Sequence, residues 1–183
     1  HSSNRRQRQM CIRDRLWSPK SDDVTESFTQ FAIEAALGSE RRDFVLHWGM
    51  LVAKNNFFAD VVRFIGRREK HAEVFTYAQV QKNIVELYGD TETVKRGLRS
   101  VLKTLVDFRV LERQTNRTYK AHKLEHKVES KYKSWLLQSL MYNQRYRSRS
   151  LADMLDDLVW FPFVFSVSAL SLIHISEPTR LDG

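Results

Sequence analysis

The fold is decided by residues 75–113, FTYAQVQKNIVELYGDTETVKRGLRSVLKTLVDFRVLER. Thr76 near its start is followed three residues later by Gln79. This is the spacing of a capping box, in which each side chain satisfies a free backbone N–H of the other residue. Apolar residues then recur at helical spacing up to Gly89, and glycine commonly follows a helix C-terminus. The pattern predicts a helix between Thr76 and Gly89.

A second amphipathic helix is predicted directly afterwards, over about residues 91–107, with Asp90 or Thr91 as its N-cap. Its apolar stripe consists of Val94, Leu98, Val101, Leu102 and Leu105. Another face carries the basic residues Lys95, Arg96, Arg99 and Lys103. No acid lies between residues 95 and 103, whereas a merely solvated face usually mixes both signs. Gly97 within this helix costs about 1 kcal/mol relative to alanine.

Alternating side chains follow this helix and indicate a β-hairpin. Residues 109–113 are predicted to pair with about 117–121, with QTNR between them as the turn.

A helix, a short turn, a basic helix and a hairpin follow one another in an order that resembles the winged-helix family. The resemblance covers about residues 57–123, and the helix through Phe57–Lys70 is the first of the three helices. It implies a mainly α fold with a small β-hairpin, a winged helix-turn-helix flanked by helical segments. Residues 91–107 would be the recognition helix and 109–121 the wing. The implied function is duplex DNA binding, as in transcriptional regulators.

Basic charge is concentrated where such a domain meets DNA. Residues 91–123 contain nine Lys or Arg and three acids, a net charge of +6. Phosphate contacts supply affinity, whereas base contacts from the recognition helix supply specificity. We expect Arg96 and Arg99 to reach guanine edges. The residues expected to contact phosphates are Lys95, Lys103, Arg113, Arg117 and Lys120.

The alternative function is protein–protein interaction without nucleic acid, with the winged helix as a scaffold in a multiprotein complex. DNA binding predicts that Arg96 and Arg99 are exposed beside a concave basic surface. The scaffold function predicts an accessible apolar patch, for which LVWFPFVF, Leu158–Phe165, is a candidate; the pattern of this segment indicates that it is either buried or docks a partner.

The sequence carries no signature of an enzyme, and no catalytic residue or cofactor is predicted. The glycines are isolated and form no phosphate-binding loop, and there is no nucleophile elbow. His122 and His126 are spaced i, i+4, but apart from Glu125 or Glu129 nearby no third metal ligand is evident, so no metal site is expected. His47 is expected to be packed or half-buried. Three tryptophans are expected in the core: Trp48, Trp135 and Trp160.

Helical segments flank the central domain. The N-terminal segment, 16–56, contains helical patterns over Val24–Leu37 and roughly through RRDFVLHWGMLVAKN, residues 41–55. The C-terminal segment, 124–169, has an apolar helical stripe of Val128, Tyr132, Trp135, Leu136 and Leu140. Ser150 with Asp153 starts a further short helix.

The two ends, residues 1–15 and 170–183, resemble translated transposase-type sequencing adapters. One reading frame of the adapter gives Arg5 to Arg15, and the opposite orientation gives Leu170 to Arg180. Such segments are set aside in fold reasoning. We therefore expect the natural sequence to be Leu16–Ala169, a metagenomic fragment of a longer protein.

Without those ends the chain has no cysteine, since Cys11 is the single one. It retains 24 basic and 19 acidic residues, a net charge of +5. Absence of cysteine suits a reducing compartment, and a cytoplasmic location in a microbe is expected. The apolar run Leu158–Ile175 approaches membrane-spanning length, but a third of it is adapter-like. The remainder is too short to cross a bilayer, so no membrane association is expected.

Overall fold

The computed structural model describes residues 26–37, 44–70, 74–122, 128, 130–143 and 150–163. Its helices are α1 Glu26–Leu37, α2 Phe44–Lys54, α3 Asn56–Glu69, α4 Tyr77–Tyr88, α5 Glu92–Asp107, α6 Ser130–Tyr142 and α7 Leu151–Leu155. Its strands are β1 Val74–Thr76, β2 Leu111–Arg113 and β3 Thr118–Ala121. Single 3-10 turns cover Thr115–Arg117 and Leu158–Trp160. The predicted fold class, mainly α with a small β-hairpin, is confirmed; the adapter-like ends lie outside the described residues.

The helix starts follow the predicted capping. Thr76 Oγ1 accepts from Gln79 N at 3.2 Å, and Gln79 Oε1 accepts from Thr76 N at 2.9 Å, which completes the capping box of α4. Thr91 caps α5 by accepting from Val94 N at 3.2 Å. Asn55 separates α2 from α3 and caps α3 through its contact with Phe58 N. These caps set the boundaries of three consecutive helices.

The strands form one antiparallel sheet in the order β1-β3-β2. The hairpin pairs Leu111 with Ala121 and Arg113 with Tyr119, within the predicted ranges. β1 was not predicted from the sequence. It pairs with the other edge of β3 and places Phe75 opposite Tyr119, with stacked rings whose centroids are 5.8 Å apart.

The hairpin is shorter than predicted because Arg109 and Val110 terminate α5. Arg109 has a left-handed φ of 58°. Its N–H donates to Val106 O, and the N–H of Val110 donates to Leu105 O at 3.0 Å. This is a Schellman motif, in which a left-handed residue lets the last carbonyls of a helix find donors. The tight end turns the chain from α5 into β2.

The flanking helices pack together through a close approach of α2 and α6. Gly49 of α2 lies against the indole of Trp135 from α6. That indole stacks on Phe28 of α1, with ring centroids 4.7 Å apart, and donates to Phe28 O at 3.0 Å. Trp48, Trp135 and Trp160 are all buried, as predicted.

The C-terminal segment returns to the middle of the fold. Trp48 Nε1 donates to Val159 O at 2.9 Å, and Phe163 contacts both Trp48 and Phe44. Val159, Trp160, Phe161 and Phe163 are each at most 9% exposed. Of the two alternatives predicted for LVWFPFVF, a buried or a partner-docking segment, the buried one is confirmed for its described part, residues 158–163. This part packs into the core.

One hydrophobic core runs through the described parts of all three predicted segments. It joins Phe28 of α1 and Trp48 of α2 to Leu102 of α5 and Leu140 of α6. Among the described residues, no helix combines the length and apolar character needed to cross a membrane.

Candidate nucleic-acid interface

A cleft of about 610 Å³ lies between α5 and the hairpin. Four of the seven predicted DNA-contacting residues line it: Arg99, Lys103, Arg113 and Arg117. Arg99 and Lys103 are one helical turn apart on α5 and so share a face. The tight end of α5 folds the hairpin back beside that face. All four residues are exposed.

The cleft combines an apolar floor with a cationic lining. Leu102, Val106 and Tyr119 supply apolar surface, and Asp107 is the acid among the residues that line the cleft. A concave surface lined by one sign of charge concentrates the electrostatic field and attracts ligands of the opposite sign. The cleft is therefore suited to an anion.

Arg117, the basic residue of the hairpin turn, has an unusual backbone conformation. Arg117 has a φ of 56° at the end of the 3-10 turn, and Gln114 N donates to Thr118 O at 2.8 Å to close the loop. This left-handed residue lets β3 begin directly at Thr118 while Arg117 lines the cleft.

The N-terminal turn of α5 is more acidic than expected. Lys95 Nζ lies 2.7 Å from Asp90 Oδ1 and 3.7 Å from Glu92 Oε1, and Arg99 lies 3.8 Å from the other oxygen of Glu92. The hydrogen bond to Asp90 and the charge of that carboxylate raise the pKa of Lys95. Residues 95–103 themselves contain no acid, but Asp90 and Glu92 reach this basic face from outside that stretch.

The remaining predicted residues lie away from the cleft lining. Arg96 is exposed, and within the described part of the chain it forms no ion pair or hydrogen bond. Lys120 is half-buried on β3, directly opposite Glu112 of β2. Lys95 and Lys120, two of the predicted phosphate ligands, thus each lie close to an acid outside the cleft lining.

Tyr77 is a cleft residue that the sequence reasoning missed. It begins α4 and lines the cleft beside the α5 cations. Its hydroxyl is buried and has no hydrogen-bond partner in the described structure. No local sequence signal marked it, because a position directly after the cap Thr76 is that of an ordinary first-turn helix residue.

The start of α5 is held in place by α3. Tyr88, at the end of α4, donates its hydroxyl hydrogen to Asp60 Oδ2 at 2.6 Å, and its ring contacts Phe57. Arg63 bridges Asp60 at 3.1 Å and Asp157 at 2.8 Å, which joins α3 to the C-terminal segment. Because Asp60 and Asp157 are both buried, these charged hydrogen bonds orient α4 and thus the turn that leads into α5.

The histidines form no metal cluster in the part of the chain that the structure describes. His122 lies 3.2 Å from Glu112 across the hairpin, and its predicted companion His126 lies outside the described residues. His47 is half-buried beside Phe108, as predicted.

The chain matches no family model, no curated protein and no solved structure. Its function must therefore be inferred from the cleft and its charges.

Proposed function

We propose that residues 56–122 form a winged-helix unit that binds duplex DNA through α5 and the hairpin. One observation carries this proposal. Basic residues from two separate segments, chosen from the sequence for DNA contact, line a single concave surface. The element order α3, β1, α4, α5, β2, β3 and the strand order β1-β3-β2 support the winged-helix resemblance.

In this proposal α5 enters the major groove, which is wide enough to admit an α-helix. Arg96 and Arg99 then reach base edges. Arg99 is 55% exposed, and Glu92 beside it contacts it only at 3.8 Å, so its guanidinium is able to reorient toward a base. Lys103, Arg113 and Arg117 contact phosphates, which fix the position of the protein on the duplex. Binding of this kind is what a transcriptional regulator requires.

Protein interaction through LVWFPFVF is the weaker proposal. The described part of that segment is buried, and its backbone and rings contact Trp48 and Phe44.

The test measures duplex DNA affinity of the whole chain by fluorescence anisotropy. Three variants are compared with the wild type: Arg99→Ala, Arg113→Ala and, as the matched control, Arg67→Ala. Arg67 is an exposed arginine on α3 that does not line the cleft. The basic stretch Arg5–Arg15 is common to all four proteins, so differences among them report on the cleft.

The proposal expects each cleft variant to bind about tenfold more weakly, as for the loss of a charged hydrogen bond. The Arg67→Ala control should bind like the wild type. If all three variants lose the same DNA affinity, binding depends on net charge and not on the cleft. If no variant loses DNA affinity, the cleft does not bind DNA.

A further inference from the structure

We infer that the cleft between α5 and the hairpin is a binding site for a small organic anion, a molecule with an apolar body and an acidic group. The apolar body lies on the floor of the cleft, and the acidic group pairs with cations of its lining. Such an anion and duplex DNA exclude each other, so the anion releases the protein from DNA. This last consequence rests on the proposed function, whereas the site itself does not.

The first observation is the size and composition of the cleft. Its volume is about 610 Å³. Sites for small organic molecules have volumes of about 300–1,000 Å³ and combine apolar walls with a few polar groups that orient the ligand. The cleft fits this description, because the apolar residues Leu102, Val106 and Tyr119 line it together with charged residues. Its volume therefore admits a whole small molecule and not only an inorganic ion.

The second observation is the apolar floor. Val106 is half-buried and supplies accessible carbon, while Leu102 and Tyr119, at most 9% exposed, form the buried remainder of the floor. Covering apolar surface favours binding because that surface is removed from water. A DNA phosphate gains nothing from this floor, since a charged group that moves against carbon loses hydration. The floor thus favours a ligand that brings apolar carbon of its own.

The third observation is the sign of the charge around the floor. Cations from α5 and from the hairpin line the cleft, and Asp107 is the acid in the lining: Arg99, Lys103, Arg113 and Arg117. A neutral molecule on the floor would remove water from these charges without pairing them, which costs free energy. A carboxylate, sulfonate or phosphate group instead accepts charge-assisted hydrogen bonds, for which the arginine fork is well suited. The lining therefore selects an anion.

Competition with DNA follows from the shared cations. The proposed DNA contacts use Arg99 for a base edge and the other three cations of the cleft for phosphates. An organic anion on the floor pairs with the same donors, so the duplex loses them. Because each ligand lowers the affinity for the other by the same factor, the exclusion is measurable from either side.

The experiment uses anilinonaphthalenesulfonate, an anion with an apolar ring system whose fluorescence reports binding to apolar surface. The whole chain is titrated with this probe and with phenylnaphthylamine, which has the same rings without the sulfonate. Methanesulfonate, which has the sulfonate without the rings, is added as a competitor. We expect the probe to bind about tenfold more tightly than the neutral rings, and methanesulfonate at equal concentration not to displace it.

Three variants place the probe within the protein. Arg113→Ala removes one cation of the lining and should weaken probe binding about tenfold. Val106→Ala removes two methyl groups from the floor and should weaken it about threefold. Arg67→Ala removes an exposed arginine outside the cleft lining and should bind the probe like the wild type. Circular dichroism checks that each variant is folded, because the probe also binds partly folded chains.

A second arm adds the probe to the protein bound to labelled duplex DNA and follows the anisotropy of the label. Probe binding that depends on Arg113 and Val106 and displaces DNA supports the whole inference. The same dependence without duplex binding by the wild type supports the site and overturns DNA binding. Dependence on the cleft with DNA still bound overturns the exclusion. No probe binding by the wild type, equal binding by all variants, or equally tight binding of the neutral rings overturns the site and leaves DNA binding standing.

Discussion

Substituting glycine by alanine at two helical positions should change stability in opposite directions. In the middle of a helix, alanine is favoured over glycine by about 1 kcal/mol. At Gly97 of α5 an added Cβ would lie 3.4 Å from the ring of Phe57, an ordinary van der Waals contact. Gly97→Ala should therefore raise the free energy of unfolding by up to about 1 kcal/mol.

At Gly49 of α2 the same added carbon would collide with the indole of Trp135 and come within 3.1 Å of Leu136. The indole is buried, stacks on Phe28 and donates a hydrogen bond, so its displacement is costly. Overpacking of a core costs about 1–3 kcal/mol, and loss of the indole hydrogen bond adds about 1 kcal/mol. Subtracting the helix-propensity gain leaves a loss of about 1–3 kcal/mol.

Urea unfolding followed by circular dichroism measures both changes on the same chain. The Gly97→Ala midpoint should rise and the Gly49→Ala midpoint should fall, with the same slope for both variants and the wild type. A Gly49→Ala protein as stable as the wild type would refute the close approach of α2 and α6. A destabilised Gly97→Ala would refute the spacing of α3 and α5.

Two further substitutions test the acidic charge at the start of α5 and the left-handed backbone conformation after its end. Glu92→Gln removes a 75% exposed carboxylate from the proposed DNA-facing end of α5. At about 8 Å from a phosphate in water, that carboxylate opposes binding by about 0.5 kcal/mol, so anisotropy at low salt should show about twofold tighter DNA binding. Weaker binding would instead assign Glu92 a favourable contact with DNA. Arg109→Gly places glycine where φ is 58°, and should raise the free energy of unfolding by about 0.5–1 kcal/mol in urea. A lower free energy of unfolding would show that the Arg109 side chain stabilises this turn by more than the left-handed backbone destabilises it.

The helices that carry the cleft could be predicted because their signals are local. The Thr76–Gln79 capping box and the Thr91 cap depend on residues within one turn, and both hydrogen-bond as predicted. The apolar stripe of α5 was predicted for the same reason, since Leu98, Val101, Leu102 and Leu105 repeat with the helical period and are buried.

The features that were missed depend on residues far apart in the chain. β1 has three residues, too few to show an alternating pattern in the sequence. It forms because it pairs with β3, where Phe75 lies opposite Tyr119. The shortened hairpin follows from a non-glycine residue, Arg109, in a left-handed conformation that the sequence pattern does not favour.

The same limit applies to the candidate interface. Arg99, Lys103, Arg113 and Arg117 could be chosen from charge and position, and they share the cleft. The ion pair of Lys95 with Asp90 was not predicted, because Asp90 precedes the helix and folds back onto Lys95. Tyr77 was overlooked because nothing in its local sequence distinguishes a buried unpaired hydroxyl from a packed one.

The dependence of duplex DNA affinity on salt tests the central proposal most directly. For B-DNA, log Kobs falls with log salt by about 0.9 for each phosphate neutralised. We predict a linear decrease for the wild type, and a slope smaller by about 1.8 for the Arg113→Ala, Arg117→Ala double variant, which loses two proposed phosphate contacts. No detectable binding at low salt by the folded chain, or an unchanged slope in the double variant, would contradict the proposal that this cleft binds DNA.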